Sequence, residues 1–271
     1  MNIPDYLIAT ALQVAYAAGY EILQIYQQPF DFELKPDNSP LTIADRRAHS
    51  IISESLAASG IPILSEEGSE ISYETRKDWK QYWLVDPLDG TKEFIRKNGD
   101  FTVNIALIYN QQPIFGVVYA PVPGYMYWGS ENGAFRLNTR NLGIDDFKNF
   151  DQLKTLAEHL PFITNTESYL VLGSRSHMNA ETESFINDLK KLYPDLAFVS
   201  RGSSLKFCTL AEGGADIYPR FGPTMEWDTA AGHAVAVFAG CTVLQVESGQ
   251  PLVYNKPSLL NPYFVAERKK K

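Results

Sequence analysis

The sequence predicts a mixed chain in two halves, α+β in the first and α/β in the second. Apolar residues recur at helical spacing in two stretches before residue 60. Strand signals crowd between residues 83 and 138, the last two broken by Pro and Gly turns, and beyond residue 168 strand and helix patterns alternate. The polar, irregular run 138–168 is the expected boundary, giving an N-terminal half, 1–150, and a C-terminal half, 151–271.

Taken in order, an amphipathic first helix is expected in MNIPDYLIATALQVAYAAGYEILQIYQQ, where Pro4 and Asp5 suit a helix start. It lacks the basic leader of a signal peptide, and Gln13 and Glu21 are expected to interrupt it short of a membrane span. A second helix is expected over 42–58, with Ile43, Ala44, Ala48, Ile51, Ile52 and Leu56 at helical spacing and Gly60 as its stop. IPIL then reads as a short buried strand running into the acids of SEEG. WLVD, FTVNIALIY, IFGVVYAP and MYWGSENGAFRLN supply further strands. In the second half YLVLGS, LAFVS, ADIYPRF, CTVLQV and PYFVAE read as strands. ETESFINDLKKL, SSLKFCTLAEGG and DTAAGHAVAVFAG read as helices, the last two closed by glycine.

Composition bounds the function. The chain has 271 residues, 45% hydrophobic and 21% charged, which is globular rather than disordered. Its net charge of −8 argues against a nucleic-acid partner, so an anionic substrate must be drawn by local groups. Cys208 and Cys241 are too few for a disulfide framework, and a reducing, cytoplasmic setting is the default. The tail ERKKK reads as a solvated end, and peripheral attachment at the inner face of a membrane stays open. No obligate protein partner is evident, and monomer and homodimer are equally allowed.

The chemistry is carried by acids. In WLVDPLDGT the strand is expected to end near Asp86, Pro87 fits a turn, and Gly90 permits close backbone approach before a helix at Thr91. Such a turn points Asp86 and Asp89 to one side, and the start of the helix that follows offers N–H groups to a phosphate. Glu66 and Glu67 end the strand IPILS, Asp228 is expected just before the Ala-rich helix, and Asp45 stands three residues after Thr42 in a capping-box spacing. Each acid alone has an ordinary reading as turn, cap or surface loop. Together they sit at strand ends and helix starts, where sites gather. Two carboxylates about 4 Å apart repel by roughly 4 kcal/mol at an effective dielectric near 20, so a converging cluster needs a cation. Oxygen ligands without nearby His or Cys select Mg²⁺, with Mn²⁺ as a substitute.

SEE at 65–67, WLVDPLDGTKEFI at 83–95 and EWDTAAGHAV at 226–235 resemble the metal motifs of the inositol-monophosphatase-like phosphatases. GSRSH at 173–177, GSSLKFC at 202–208 and YPRFGPT at 218–224 resemble the CysQ-type 3'(2'),5'-bisphosphate nucleotidases within that superfamily. The resemblance covers nearly the whole chain in order. It implies a layered αβαβα sandwich with the site between its halves. It implies a first Mg²⁺ held by Glu67, Asp86 and the Leu88 carbonyl, and a second held by Asp86, Asp89 and Asp228. A third, weaker ion would involve Glu67. Thr91, paired with Asp45, would orient and deprotonate the attacking water, and the Gly90 and Thr91 amides would receive the phosphate.

The implied reaction is two-metal hydrolysis of the 3'-phosphate of adenosine 3',5'-bisphosphate to AMP, and of its sulfated relative to the adenylyl sulfate. Sensitivity to lithium and a role beside sulfate assimilation go with it. A small-molecule nucleotide bisphosphate is the expected partner. Its second phosphate calls for cations, and Lys206, Arg220 and His177 are the candidates, with Ser203 and Ser204 either capping a helix or touching ligand. His233, inside an apolar helix, is expected to be packed in the core. The alternatives are activity on inositol phosphates or fructose bisphosphate, and a non-catalytic metal-dependent nucleotide sensor.

Overall fold

The computed structural model describes residues 3–35, 40–162, 168–173 and 179–269. Pro4 precedes α1 (Asp5–Tyr26), whose Leu7, Ala11, Leu12, Ala15, Ala18 and Ile22 recur at helical spacing and are all buried. Among the described residues, α1 alone is long and apolar enough to cross a membrane by length and composition. Gln13 and Glu21 therefore do not shorten its apolar run as expected. Half of that stretch is buried inside the fold, the behaviour of a core helix.

A short hairpin, β1 (Phe32–Leu34) with β2 (Pro40–Thr42), leads into α2 (Ile43–Ala57), β3 (Ile63–Ser65) and α3 (Tyr73–Arg76). Then come β4 (Gln81–Asp89), α4 (Thr91–Ile95), β5 (Thr102–Tyr109), β6 (Gln112–Ala120), β7 (Tyr125–Ser130) and β8 (Gly133–Asn138). A 3-10 turn at Ile144–Lys148, α5 (Phe150–Leu156) and β9 (Glu158–His159) complete the run. Strands β3 to β9 form one seven-stranded sheet in chain order, with β3 and β4 parallel and every later neighbour antiparallel.

The second sheet is built from β10 (Leu170–Gly173), β11 (Ala197–Ser200), β12 (Ile217–Arg220), β13 (Cys241–Gln245) and β14 (Phe264–Arg268). Between its strands lie α6 (Ala180–Leu192), α7 (Leu205–Glu212) and α8 (Glu226–Phe238). Its strand order is β11-β10-β12-β14-β13, parallel across the first three and antiparallel across the last two. The alternation read from the sequence accounts for the parallel part. The antiparallel part arises because a loop without a helix joins β13 to β14.

Five layers result: α1 and α2, the seven-stranded sheet, α7 and α8, the five-stranded sheet, and α6. The seven-stranded sheet is covered on both faces, so β4 and β5 are buried at nearly every position and read as continuous apolar runs. One core cluster joins α1 and α2 to one sheet face around Trp83, Phe101 and Trp128. A second joins the opposite face to α7, α8 and the five-stranded sheet around Tyr82, Phe207 and Phe264. Fully burying one such large side chain is worth about 1.5–3 kcal/mol.

The central layer sets the site. Helix α8 lies so close on β6 that a Cβ at Gly116 would fall 2.4 Å from the Ala231 carbonyl oxygen. That approach brings the start of α8, with Asp228, to the acids at the end of β4.

Candidate active site

Strand β4 runs three residues further than the sequence suggests, through Asp86 to Asp89. Its register with β5 is regular to the pair Asp86–Asn104 and resumes at Asp89–Thr102, so β4 carries one extra residue there. In a regular strand two residues three apart face opposite ways; the bulge re-aims one of them, which lets both aspartates serve one site. Gly90 follows at φ 92°, a left-handed conformation that suits glycine, and a Cβ there would meet the Asp100 carbonyl oxygen at 3.1 Å.

One carboxylate oxygen each from Glu66, Asp86 and Asp228 lies within 4.8 Å of the others. Asp86 is 1% exposed and accepts a hydrogen bond from the Leu88 N–H at 3.1 Å. Burial pushes its carboxyl well above the usual range, and the charges of Glu66, Asp89 and Asp228 push it further. Burial, then Asp89, raises Asp228 to about 8. Burial also raises Glu66, against the pull of Lys35. Acids held this way favour either a proton or a cation. The donor set is oxygen only, buried and strongly anionic, and fits a hard divalent ion such as Mg²⁺ or Mn²⁺.

The structure arranges the two adjacent glutamates differently from the expectation, which named Glu67. Glu66, at the end of β3 beside β4, is the residue that reaches Asp86 and Asp228, while Glu67 turns to an ion pair with Lys35. Lys35 also holds Glu66, at 2.7 Å. The sequence offered two adjacent glutamates and no local signal to choose between them. Asp228 differs too: α8 begins at Glu226, so Asp228 is the third helical residue rather than the cap. Its Oδ2 accepts from the Met225 N–H at 2.8 Å.

Asp45 caps α2 as its spacing predicts and also reaches into the site. Its Oδ2 accepts from the Thr42 N–H at 2.7 Å and the Thr42 hydroxyl at 2.6 Å, while Oδ1 accepts from the Thr91 hydroxyl at 3.2 Å. Burial holds the Asp45 carboxyl above its usual range, partly offset by the Thr42 bonds. The Thr91 hydroxyl also lies 3.3 Å from the Leu88 carbonyl oxygen.

Ser203 and Ser204, from the other side of the molecule, converge on Asp89. Its Oδ2 accepts from the Ser203 hydroxyl at 2.5 Å, the Ser204 N–H at 2.7 Å and the Ser204 hydroxyl at 3.0 Å. Ser204 therefore does not cap α7 with its side chain; its hydroxyl also lies 2.9 Å from the Asp228 carbonyl oxygen. Asn104, unmarked in the sequence, donates to the Ser204 hydroxyl at 3.0 Å. Such contacts join residues a hundred positions apart and leave no local pattern.

A cavity of about 380 Å³ opens here, lined by Asp89, Gly90, Thr91, Ser204, Lys206, Arg220 and Asp228. Lys206 is 6% exposed and its ammonium donates to the Ser203 carbonyl oxygen at 2.9 Å. Burial lowers its pKa to about 8, with Asp89 opposing. Arg220 donates to the Pro223 carbonyl oxygen at 2.9 Å. His177 lies outside the described residues. His233 is a core histidine, 3% exposed, with its Nδ1 2.8 Å from the Tyr254 hydroxyl.

A sequence model of the inositol monophosphatase family matches residues 4–270, and the chain belongs to that family. That membership makes it an enzyme of the phosphatase class. Within the family its similarity is to the CysQ type. It is 47% identical over 257 residues to the 3'(2'),5'-bisphosphate nucleotidase CysQ of Shigella flexneri, covering 93% of this chain and 96% of that one. It is 35% identical over 269 residues to the CysQ of Haemophilus influenzae, covering 98% and 94%. The crystal structure of CysQ from Bacteroides thetaiotaomicron superposes with a TM-score of 0.87 at 47% identity, covering 97% of both chains. The suhB protein of Bartonella henselae, 22% identical with a TM-score of 0.74 and coverage of 98% and 95%, shares the fold.

Proposed function

We propose that the protein is a Mg²⁺-dependent 3'(2'),5'-bisphosphate nucleotidase that removes the 3'-phosphate of adenosine 3',5'-bisphosphate, giving AMP and phosphate. The sulfated relative, adenosine 3'-phosphate 5'-phosphosulfate, is a second substrate. The observation that carries this reading is a cavity lined at once by metal-type acids, Asp89 and Asp228, and by the cations Lys206 and Arg220. A substrate with two anionic groups needs both, one phosphate at the acids through a cation and the other at the basic side chains. The name shared by the CysQ relatives supports the choice of substrate.

In this reading Glu66, Asp86 and the Leu88 carbonyl hold one Mg²⁺, and Asp86, Asp89 and Asp228 a second. Glu67 stays beside a third, weaker position. Bound metal supplies a more acidic water and neutralises charge on the phosphate and on the leaving ribose oxygen. The chain supplies the proton path: Asp45, its Oδ2 already occupied by Thr42, keeps Oδ1 for the Thr91 hydroxyl. Thr91 accepts the proton of the attacking water as its own passes to Asp45, whose raised pKa suits it to hold that proton. The Gly90 and Thr91 amides receive the phosphate. Ser203 and Ser204 fix Asp89 and border the nucleotide. Two unpaired cysteines, both buried, suit the reducing cytoplasm in which a role beside sulfate assimilation would be played.

A substrate panel tests the reading. With Mg²⁺, kcat/KM for adenosine 3',5'-bisphosphate should exceed that for inositol 1-phosphate and fructose 1,6-bisphosphate at least a hundredfold, and lithium should slow it. Equal or better turnover of inositol 1-phosphate would sink the substrate assignment. Tight binding of the bisphosphate without phosphate release would make the protein a sensor.

A further inference from the structure

Behind the start of α8 lies a polar strap formed by the loop 253–261, in which Asn255 and Asn261 are buried while Pro257, Ser258 and Leu260 face solvent. Glu226, two residues before Asp228, is 0% exposed. Its carboxylate accepts from the Asn255 N–H at 2.7 Å, the Lys256 N–H at 3.0 Å and the Lys256 ammonium at 2.6 Å. The Lys256 ammonium also donates to the Asn261 side-chain oxygen at 3.3 Å. The amide of Asn261, 6% exposed, donates in turn to the Met225 carbonyl oxygen at 2.8 Å and the Thr229 hydroxyl at 3.0 Å. Arg76 anchors the far side of the loop, donating to the Asn255 side-chain oxygen at 2.8 Å and the Lys256 carbonyl oxygen at 2.7 Å.

The residue at the centre is Met225. Its N–H is given to Asp228, and its carbonyl oxygen is held by Asn261. Two successive peptide units are thus held: the one that gives its N–H to the Asp228 carboxylate has its Thr224 carbonyl oxygen bonded by the Asn261 N–H at 2.8 Å, and the next has its Met225 carbonyl oxygen bonded by the Asn261 side chain. Neither Asn261 nor Lys256 lines the cavity. A buried ion pair costs several kcal/mol of desolvation per ion and is often no more stabilising than apolar residues of the same volume, so stability alone gives weak reason for one here. A metal ligand, by contrast, must be held within about 0.5 Å of its working position by the groups behind it.

We propose that Glu226, Lys256 and Asn261 are positioning residues that hold the 224–226 peptide so that Asp228 meets the cation. This rests on the reading of Asp228 as a metal ligand. The test is direct Mg²⁺ binding by calorimetry on the full chain, alongside melting temperature in chelator. Asn261→Ala and Lys256→Met should each weaken Mg²⁺ binding about tenfold. Val243→Ala, a core change in β13 outside the strap, should lower the melting temperature while leaving Mg²⁺ affinity within twofold. Asn261→Ser, which keeps a donor for the Met225 carbonyl, should recover most of the affinity, and it carries the measurement if the alanine variant does not fold. Unchanged affinity in the strap variants, or an equal fall in Val243→Ala, would overturn the proposal. Asp228→Asn separates the two readings: if it binds Mg²⁺ like the wild type, the metal assignment itself is wrong. If it loses binding while the strap variants do not, only the positioning role fails.

Discussion

At the scale of single residues, adjacent glutamates have different surroundings. Glu66 faces Asp86 and Asp228, while Glu67 faces Lys35. Glu66→Gln should therefore reduce Mg²⁺ affinity by at least tenfold and Glu67→Gln by less than threefold, measured by calorimetry; the reverse order would return the ligand role to Glu67. The acids also set a pH dependence. Asp228, raised to about 8, contributes stability that is fully present below its unfolded value near about 4 and is lost as pH rises through about 8. His233, lowered by burial to about 3, works the other way, but its gain is complete above its unfolded value near about 6.5. Between pH 6.5 and about 7 the acids act alone, and above that Lys206, lowered by burial to about 8, begins to oppose them. The melting temperature of metal-free protein should fall by about 2–4 °C per pH unit from pH 6.5 and less steeply as pH nears 8, and saturating Mg²⁺ or Asp228→Asn should flatten the fall. A metal-free profile that is already flat would count against the repulsion. The Thr42–Asp45 capping box was legible from its spacing. The choice between Glu66 and Glu67 was not, because it depends on where the end of β3 meets Lys35 and Asp86.

At the scale of elements, the bulge in β4 and the packing of α8 bring the acids together. The apolar run WLV and the turn residues Pro87 and Gly90 were readable as a strand leading to a helix. The extra residue that keeps β4 paired to Asp89 was hidden, since it is defined by its partner, β5. In the same way Asp228 read as a cap because it stands just before the Ala-rich run, although an acid suits the first turn as well as the cap; Glu226, the first helical residue, is bonded by Asn255 and Lys256 from a loop about thirty residues on. Gly116 tests the packing. A methyl group there would sit 2.4 Å from backbone oxygen, so α8 must shift off β6. Gly116→Ala should cost about 1–3 kcal/mol in denaturant unfolding and also weaken Mg²⁺ binding. Loss of stability with unaltered Mg²⁺ affinity would show that the seating of α8 does not govern the site.

At the scale of the whole molecule, the acids come from two layers: Glu66, Asp86 and Asp89 from the ends of β3 and β4 in the seven-stranded sheet, and Asp228 from the helix layer between the two sheets. Helix and strand periodicity made the two kinds of architecture visible, and the family motifs implied the layers. The mixed direction of the second sheet, and the shared core that unites the helices of one part with the sheet of the other, follow from long-range packing that no window of sequence contains. The account's central claim is that this junction holds a divalent cation against the 3'-phosphate of a nucleotide bisphosphate. Phosphorus NMR of purified protein with adenosine 3',5'-bisphosphate tests it most directly: the account predicts 5'-AMP and inorganic phosphate in the presence of Mg²⁺ and no reaction in chelator. No phosphate release with Mg²⁺, release that persists in chelator, or 3'-AMP as the product would contradict it.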